Sequence, residues 1–142
     1  AIDRFFDFQL GHLGWRTLDF EWECLPVGDF QGVAVMNYAD PSPPWTRIIE
    51  FRHFHPERSD RYPDNQTVIA RETARRAQPN DEPYYPINTP ADARCLAQYH
   101  ARTAELAAHP SAPVYFGGRL GSYRYLNMDQ VIGAALEFAE TI

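Results

Sequence analysis

Thr17-Leu18-Asp19-Phe20-Glu21-Trp22-Glu23-Cys24 carries the most regular pattern in the chain: Leu18, Phe20, Trp22 and Cys24 alternate with Asp19, Glu21 and Glu23. Successive strand side chains point to opposite faces, so this stretch predicts a half-buried antiparallel strand with one wet face. Pro26 and Gly28 close it. Further on, residues 33–38 are a short apolar run ended by Asp40-Pro41-Ser42-Pro43-Pro44, which cannot continue a ladder. Residues 45–54 and 67–72 read as two more strands, with a polar loop of mixed charge at 56–65 and a polar, mobile segment at 75–83. Before the quoted stretch, residues 3–10 are aromatic-rich and fit a short helical turn.

The periodicity then changes. Thr89-Pro90 is a helix start, a capping hydroxyl followed by proline at the first helical position. Cys95, Leu96, Tyr99, Thr103 and Leu106 recur at three- and four-residue spacing and predict one buried stripe to about Ala108, stopped by His109-Pro110. Residues 114–116 read as a buried strand ending in Gly117-Gly118. A last helix carries Met128, Val131, Ile132, Ala135, Leu136 and Ala139 on one face, with Asn127 as N-cap and Gln130 completing a capping box. The expected class is α+β: a mainly antiparallel sheet with a connecting helix over residues 1–111, then a strand, loop and helix over 112–142 that belong to another layer.

Composition narrows the function. The chain has 142 residues, 44% of them hydrophobic, and a net charge of −6, which disfavours general affinity for nucleic acid or acidic membranes. All 13 basic residues are arginine. A Schiff-base lysine and a P-loop lysine are therefore excluded within the chain, and attention moves to guanidinium groups that grip phosphate in two places. The two cysteines, Cys24 and Cys95, form no CxxC pattern and read as small buried residues, with neither a disulfide framework nor a zinc site suggested. No apolar run approaches the ~18 residues of a membrane helix and no signal peptide opens the chain, so a cytoplasmic location is the default expectation. The sequence starts at Ala1 in ordered-looking material and reads as a fragment or a processed product.

Four groups are candidates for chemistry. Trp45-Thr46-Arg47-Ile48-Ile49-Glu50 brings an arginine into an apolar strand; the alternative is a sheet-rim arginine paired with a carboxylate. Glu82-Pro83-Tyr84-Tyr85-Pro86-Ile87-Asn88 holds two tyrosines between prolines, which present phenols at low ordering cost or simply pack in a loop. Residues 117–128, Gly117-Gly118-Arg119-Leu120-Gly121-Ser122-Tyr123-Arg124-Tyr125-Leu126-Asn127-Met128, suit an anion or cofactor contact at a helix N-terminus, or a structural loop; they contain no GxGxxG. His53-Phe54-His55 on a strand would share a face for a metal, but no third ligand is spaced near them, and exposed strand-end histidines are the simpler account. No metal site is expected.

Taken together, these segments resemble UDP-galactopyranose mutases. The resemblance rests on Phe5-Phe6-Asp7-Phe8, Phe30-Gln31-Gly32, Thr46-Arg47-Ile48-Ile49-Glu50 with His53-Phe54, Tyr84-Tyr85-Pro86-Ile87-Asn88, Gly117-Gly118-Arg119-Leu120 up to Tyr125, and Gln130-Val131-Ile132, in that order. It implies an enzyme that interconverts UDP-galactopyranose and UDP-galactofuranose with reduced FAD, through a covalent sugar–flavin adduct at N5 and without net redox change. It further implies that Arg47 contacts the diphosphate, that Tyr85 and Tyr125 hydrogen-bond the same phosphates, and that Arg119 lies beside flavin and substrate. Gly118, Arg119, Asn127 and Met128 would face the cofactor, with the final strand and helix returning to the flavin-binding layer, and the whole enzyme would be a homodimer. Two positions depart from the pattern: Asn127 stands for an expected aspartate, and Val33 for a common asparagine. Because the FAD fingerprint and a helical domain are missing from these residues, the chain alone is expected to bind no FAD and to be inactive. The competing readings are a non-catalytic sugar-nucleotide-binding or assembly module and a related flavin oxidase; an oxidase has no diphosphate for Arg47 and the paired tyrosines to hold.

Overall fold

A computed structural model describes residues 1–141. The fold is α+β, with a five-stranded sheet and flanking helices. The elements are helix α1 (Ile2–Phe5), strands β1 (Trp15–Leu25), β2 (Val35–Asn37) and β3 (Arg47–Glu50), 3-10 turns at Phe51–Phe54 and Pro56–Arg61, strands β4 (Thr67–Arg76) and β5 (Tyr85–Pro86), then helices α2 (Pro90–Ala107), α3 (Gly118–Ser122) and α4 (Met128–Ala139). Strand order is β2-β3-β4-β1-β5. The chain divides into two compact units, a sheet unit of residues 18–75 and a helical unit of residues 1–17 with 76 onward.

In the sheet unit, β3 pairs antiparallel with β2 (Met36↔Ile48) and with β4 (Arg47↔Glu72, Glu50↔Ile69). Ile48, Ile69 and Ala70 are buried. Buried among them is the carboxylate of Glu50, fully inaccessible, which accepts from Phe30 N (3.0 Å), Gln31 N (2.9 Å) and the Thr67 hydroxyl (2.8 Å). A buried charge is tolerated only when its lone pairs are filled, and here the filling ties the turn at residues 29–32 to β3. Along β1 the acidic side is also paired: Arg75 holds Asp19 through two nitrogens (2.7 and 3.1 Å), and Arg71 bonds Glu23.

In the helical unit, Trp15↔Pro86 and Arg16↔Tyr85 pair β1 antiparallel with β5. Ile2, Leu13, Trp15, Tyr99 and Tyr123 form the buried core. The predicted cap of α2 is present: the Thr89 side chain accepts from Asp92 N (3.1 Å), and Asp92 answers to Thr89 N (2.8 Å). The predicted stripe is the inward face, with Tyr99 fully buried and Cys95, Leu96, Thr103 and Leu106 half-buried. Asp92 also accepts from Gly14 N (2.8 Å), and Asp3 from Leu13 N (3.0 Å), so two acids staple the entry to β1. A Cβ on Gly14 would stand 3.1 Å from the Asp92 oxygens, which keeps that approach close.

Several expectations are corrected. The alternation in β1 is real, but its apolar side is uncovered: Phe20 is 37% and Trp22 63% exposed, and Cys24 is exposed rather than buried. Cys95 is half-buried, its thiol giving a hydrogen bond to Leu10 O (3.3 Å). Strand β3 ends at Glu50, and Phe51–Phe54 turns as a 3-10 helix, so His53 and His55 do not share a strand face. The 56–65 loop contains a second 3-10 turn, and β4 runs on through Arg76 into the segment expected to be loop. Residues 114–116 form no strand, with Val114 and Tyr115 exposed and the Val114 N–H donating to Leu106 O (3.2 Å) at the end of α2 instead of to a ladder partner. The loop expected after Gly117-Gly118 contains α3. Helix α4 has the predicted capping box, with Gln130 accepting from Asn127 N (2.8 Å), but its apolar face is open, Met128, Ile132 and Leu136 being 85%, 60% and 64% exposed.

Candidate functional site

The helical unit gathers three of the expected residues. The Arg119 guanidinium lies 4.5 Å from the Tyr125 ring centroid and 5.5 Å from that of Tyr85. The two rings stack at 5.8 Å and 23°. Together they form a triangle of one cation and two π faces, an arrangement in which the ring quadrupoles attract the charge. Arg119 Nη2 donates to Tyr84 O (2.8 Å), which fixes the plane of the fork. No carboxylate pairs with Arg119 among the described residues, so its charge is undiminished.

Local sequence explains the placement. Tyr85 pairs with Arg16 in the β1–β5 ladder, which sets its direction. Arg119 is in the first turn of α3, behind Gly117 and Gly118. Gly118 has φ +66, and a Cβ on either glycine would meet nothing within 4 Å, so this backbone faces open space. Tyr123 closes α3 in the left-handed region (φ 50) and is 2% exposed. Its hydroxyl donates to Gly14 O (2.5 Å) and accepts from Asn88 N (3.2 Å), and its ring meets Trp15 edge-on at 4.9 Å. Burial raises the Tyr123 phenol above its ordinary pKa, the Asn88 N–H opposing and the Asp92 charge adding to the rise. For Asp92 burial is again the largest influence and is upward, but the hydrogen bonds from Thr89 and the Gly14 N–H, with the neighbouring Tyr123 phenol, outweigh it and leave the carboxyl below the usual range. Asn127 caps α4, and Met128 follows it almost fully exposed.

Arg47 is in the sheet unit. Its Nε donates to Asn37 Oδ1 (2.9 Å) across the β2–β3 register and its Nη1 to Glu72 Oε2 (3.3 Å) across the β3–β4 register. The Glu72 side chain is 6% exposed and that of Arg47 36%, so the acid is the buried anchor and the arginine the presented group. Thr46 adds a hydroxyl bond to Glu72 (3.2 Å). The pairing with a carboxylate is what the sheet-rim alternative expects.

Among the candidate histidines, His55 bonds Glu57 (3.0 Å), whereas His53 approaches Asp29 (3.2 Å) and Glu50 (3.5 Å). Asp29 reaches His53 only through the fold, whereas Glu50 is three residues before it in sequence and lies against it across the 3-10 turn that follows β3. The oxygens of Glu50 are already engaged by three protein donors, and Asp29 accepts from Gly32 N (2.7 Å). Sequence reading gave no role to Asn37 or Glu72, and it held Asn88 and Tyr123 within candidate segments without a role of their own; the Arg47↔Glu72 register and the left-handed backbone at Asn88 and Tyr123 have no one-dimensional signature.

A family model described as UDP-galactopyranose mutase matches residues 1–125. The chain is 41% identical over 139 residues to a "Probable UDP-galactopyranose mutase" of Klebsiella pneumoniae, covering 98% of this chain and 34% of that protein. It is 36% identical over 140 residues to a "dTDP-fucopyranose mutase" of Escherichia coli, covering 99% of this chain and 35% of the relative, and 32% identical to a "UDP-galactopyranose mutase" of Mycoplasma pneumoniae. It therefore spans about a third of the length of the curated relatives it matches. With the family model covering residues 1–125, the chain belongs to the UDP-galactopyranose mutase family.

Proposed function

We propose that the chain is the substrate-side and cofactor-facing portion of a mutase that interconverts UDP-galactopyranose and UDP-galactofuranose. The carrying observation is the Tyr85–Arg119–Tyr125 triangle, an uncompensated guanidinium flanked by two phenols beside open glycine backbone. Phenolic O–H and guanidinium N–H are donors matched to diphosphate oxygens. Arg47, oriented by Asn37 and paired with Glu72, is the other guanidinium in this reading. As UDP departs, charge grows on its β-phosphate, and preoriented donors stabilise that state more than the ground state.

FAD suits the donor set of residues 117–128 along one edge only. Gly118 and Arg119 present backbone and charge, and Asn127 and Met128 begin a 12-residue helix whose N-terminus favours negative charge. When bound, reduced FAD supplies the nucleophile and the electron pair for ring opening and reclosure. The residues here would orient its pyrimidine edge and hold the diphosphate. With Asn127 in place of an aspartate, that edge meets a cap without charge. The reading includes a cytoplasmic enzyme, homodimeric as a whole, whose residues 112–142 return to the flavin-binding layer. The isolated 142-residue chain, lacking a dinucleotide fingerprint, would carry neither stoichiometric FAD nor activity.

The test is Arg47→Ala in the full-length enzyme. Turnover should fall by about 3 kcal/mol or more in barrier, the scale of a lost transition-state donor. Wild-type turnover would remove Arg47 from the site, and stoichiometric flavin absorbance in the purified isolated chain would overturn the expectation that these residues alone bind no FAD.

A further inference from the structure

Among the described residues four non-glycine positions have positive φ, and two of them, Asn88 (φ 60) and Tyr123 (φ 50), are hydrogen-bonded to each other. Backbone of this kind persists only where its surroundings over-determine it, and it concentrates at sites whose geometry must be held. Here the surroundings are specific. Tyr123 donates to Gly14 O, Ile87 N donates to the same carbonyl (2.9 Å), and Gly14 N is taken by Asp92. The pair also stands between the segments of the triangle: Tyr85 is three residues before Asn88, Arg119 four before Tyr123 and Tyr125 two after it. The Tyr123 N–H bonds Arg119 O, so the left-handed turn and the base of the arginine are one hydrogen-bonded loop.

We propose that Tyr123 is a positioning residue, which acts through its bond to Asn88 to set the Arg119–Tyr125 loop against Tyr85. This rests on the reading of the triangle as an anion-binding group. Tyr123 has no free surface for a substrate, being 2% exposed with its hydroxyl engaged on both sides. Its buried phenol is more than core filling, because a phenylalanine would pack as well on Trp15 and hold neither Gly14 nor Asn88.

The experiment uses the 142-residue chain labelled with ¹⁵N-arginine and ¹⁵N-tryptophan, in which the Arg119 Nε–H peak is assigned by its loss in Arg119→Gln. Two ring faces should displace that peak from those of exposed arginines, and inorganic pyrophosphate should shift it. In Tyr123→Phe the peak should move to the exposed position and pyrophosphate affinity fall about tenfold, while the Trp15 indole peak stays dispersed. In Asn88→Gly, which keeps both the N–H and the left-handed backbone, it should stay at the wild-type position. An unmoved Arg119 peak in Tyr123→Phe overturns the proposal, as does an Asn88→Gly chain that behaves like Tyr123→Phe. If Tyr123→Phe does not fold, hydrogen exchange on the wild type decides: opening of the Asn88 amide and loss of the Arg119 shift should follow one denaturant dependence, and separate transitions overturn the proposal. Absence of pyrophosphate binding to a wild-type chain with a ring-shifted Arg119 would strike at the anion reading alone, since the peak position tests the pin.

Discussion

The two units present their arginines by opposite means. In the sheet unit Arg47 leans on a buried acid, Glu72, and on Asn37, so its direction comes from charge and strand register. In the helical unit Arg119 leans on two aromatic faces and a carbonyl, so its direction comes from groups that leave its charge intact. The first arrangement attenuates the field that an incoming anion meets, and the second does not. The difference teaches that a guanidinium can be ordered without an acid, provided the loop that carries it is itself pinned.

The largest expected effect tests the pinning. Asp92→Ala strips partners from Gly14 N, Thr89 N and the Thr89 hydroxyl, and should destabilise the helical unit by about 3 kcal/mol or more. Thermal melting measures the total, and amide exchange shows which residues lose protection with it. Next comes pH. The folded Asp92 carboxyl has a lowered pKa, so its contribution is fully present above the unfolded carboxylate value of about 4 and is lost as pH falls through the lower folded value. The Tyr123 phenol is raised, so its contribution holds below about pH 10 and fades as pH rises through the folded value. Melting temperature against pH should decline at both ends, and Asp92→Asn should flatten the acid limb.

Smaller effects separate the two tethers. Tyr125→Leu removes a π face from Arg119 and should cost about 1 kcal/mol of pyrophosphate binding more than Tyr125→Phe, by calorimetry on the chain. Glu72→Gln keeps the shape beside Arg47 but removes the charge, and should strengthen pyrophosphate binding by less than about 1 kcal/mol. A weakened affinity there would mean that Glu72 serves Arg47 by orientation rather than by attenuating it.

What could be read from the sequence was what has a local cause. The Thr89-Pro90 cap, the α2 stripe and the Asn127–Gln130 box follow from three- and four-residue geometry, and all are present. The β1 alternation was legible as a strand, but which face is covered depends on other chain elements, and Trp22 is 63% exposed. Residues 114–116 have strand composition but form no strand, so composition alone misassigned them. Tyr85, Arg119 and Tyr125, which the structure clusters, lay in segments marked out by Pro, Gly and motif order. Glu72 was not legible, because it meets Arg47 through cross-strand register 25 residues away.

The three tryptophans give the molecule separate optical addresses. Trp15 sits in the helical core, edge-on to Tyr123, while Trp22 stacks on Phe51 at 4.8 Å and Trp45 lies under Arg71 at 5.2 Å, both in the sheet unit. A chain with Trp22 and Trp45 replaced by phenylalanine would emit from Trp15 alone. Its emission maximum would then follow the surroundings of Trp15 in the helical unit, and that of the reciprocal Trp15→Phe chain would follow the sheet. Fluorescence from two such chains can time the opening of each unit on its own clock.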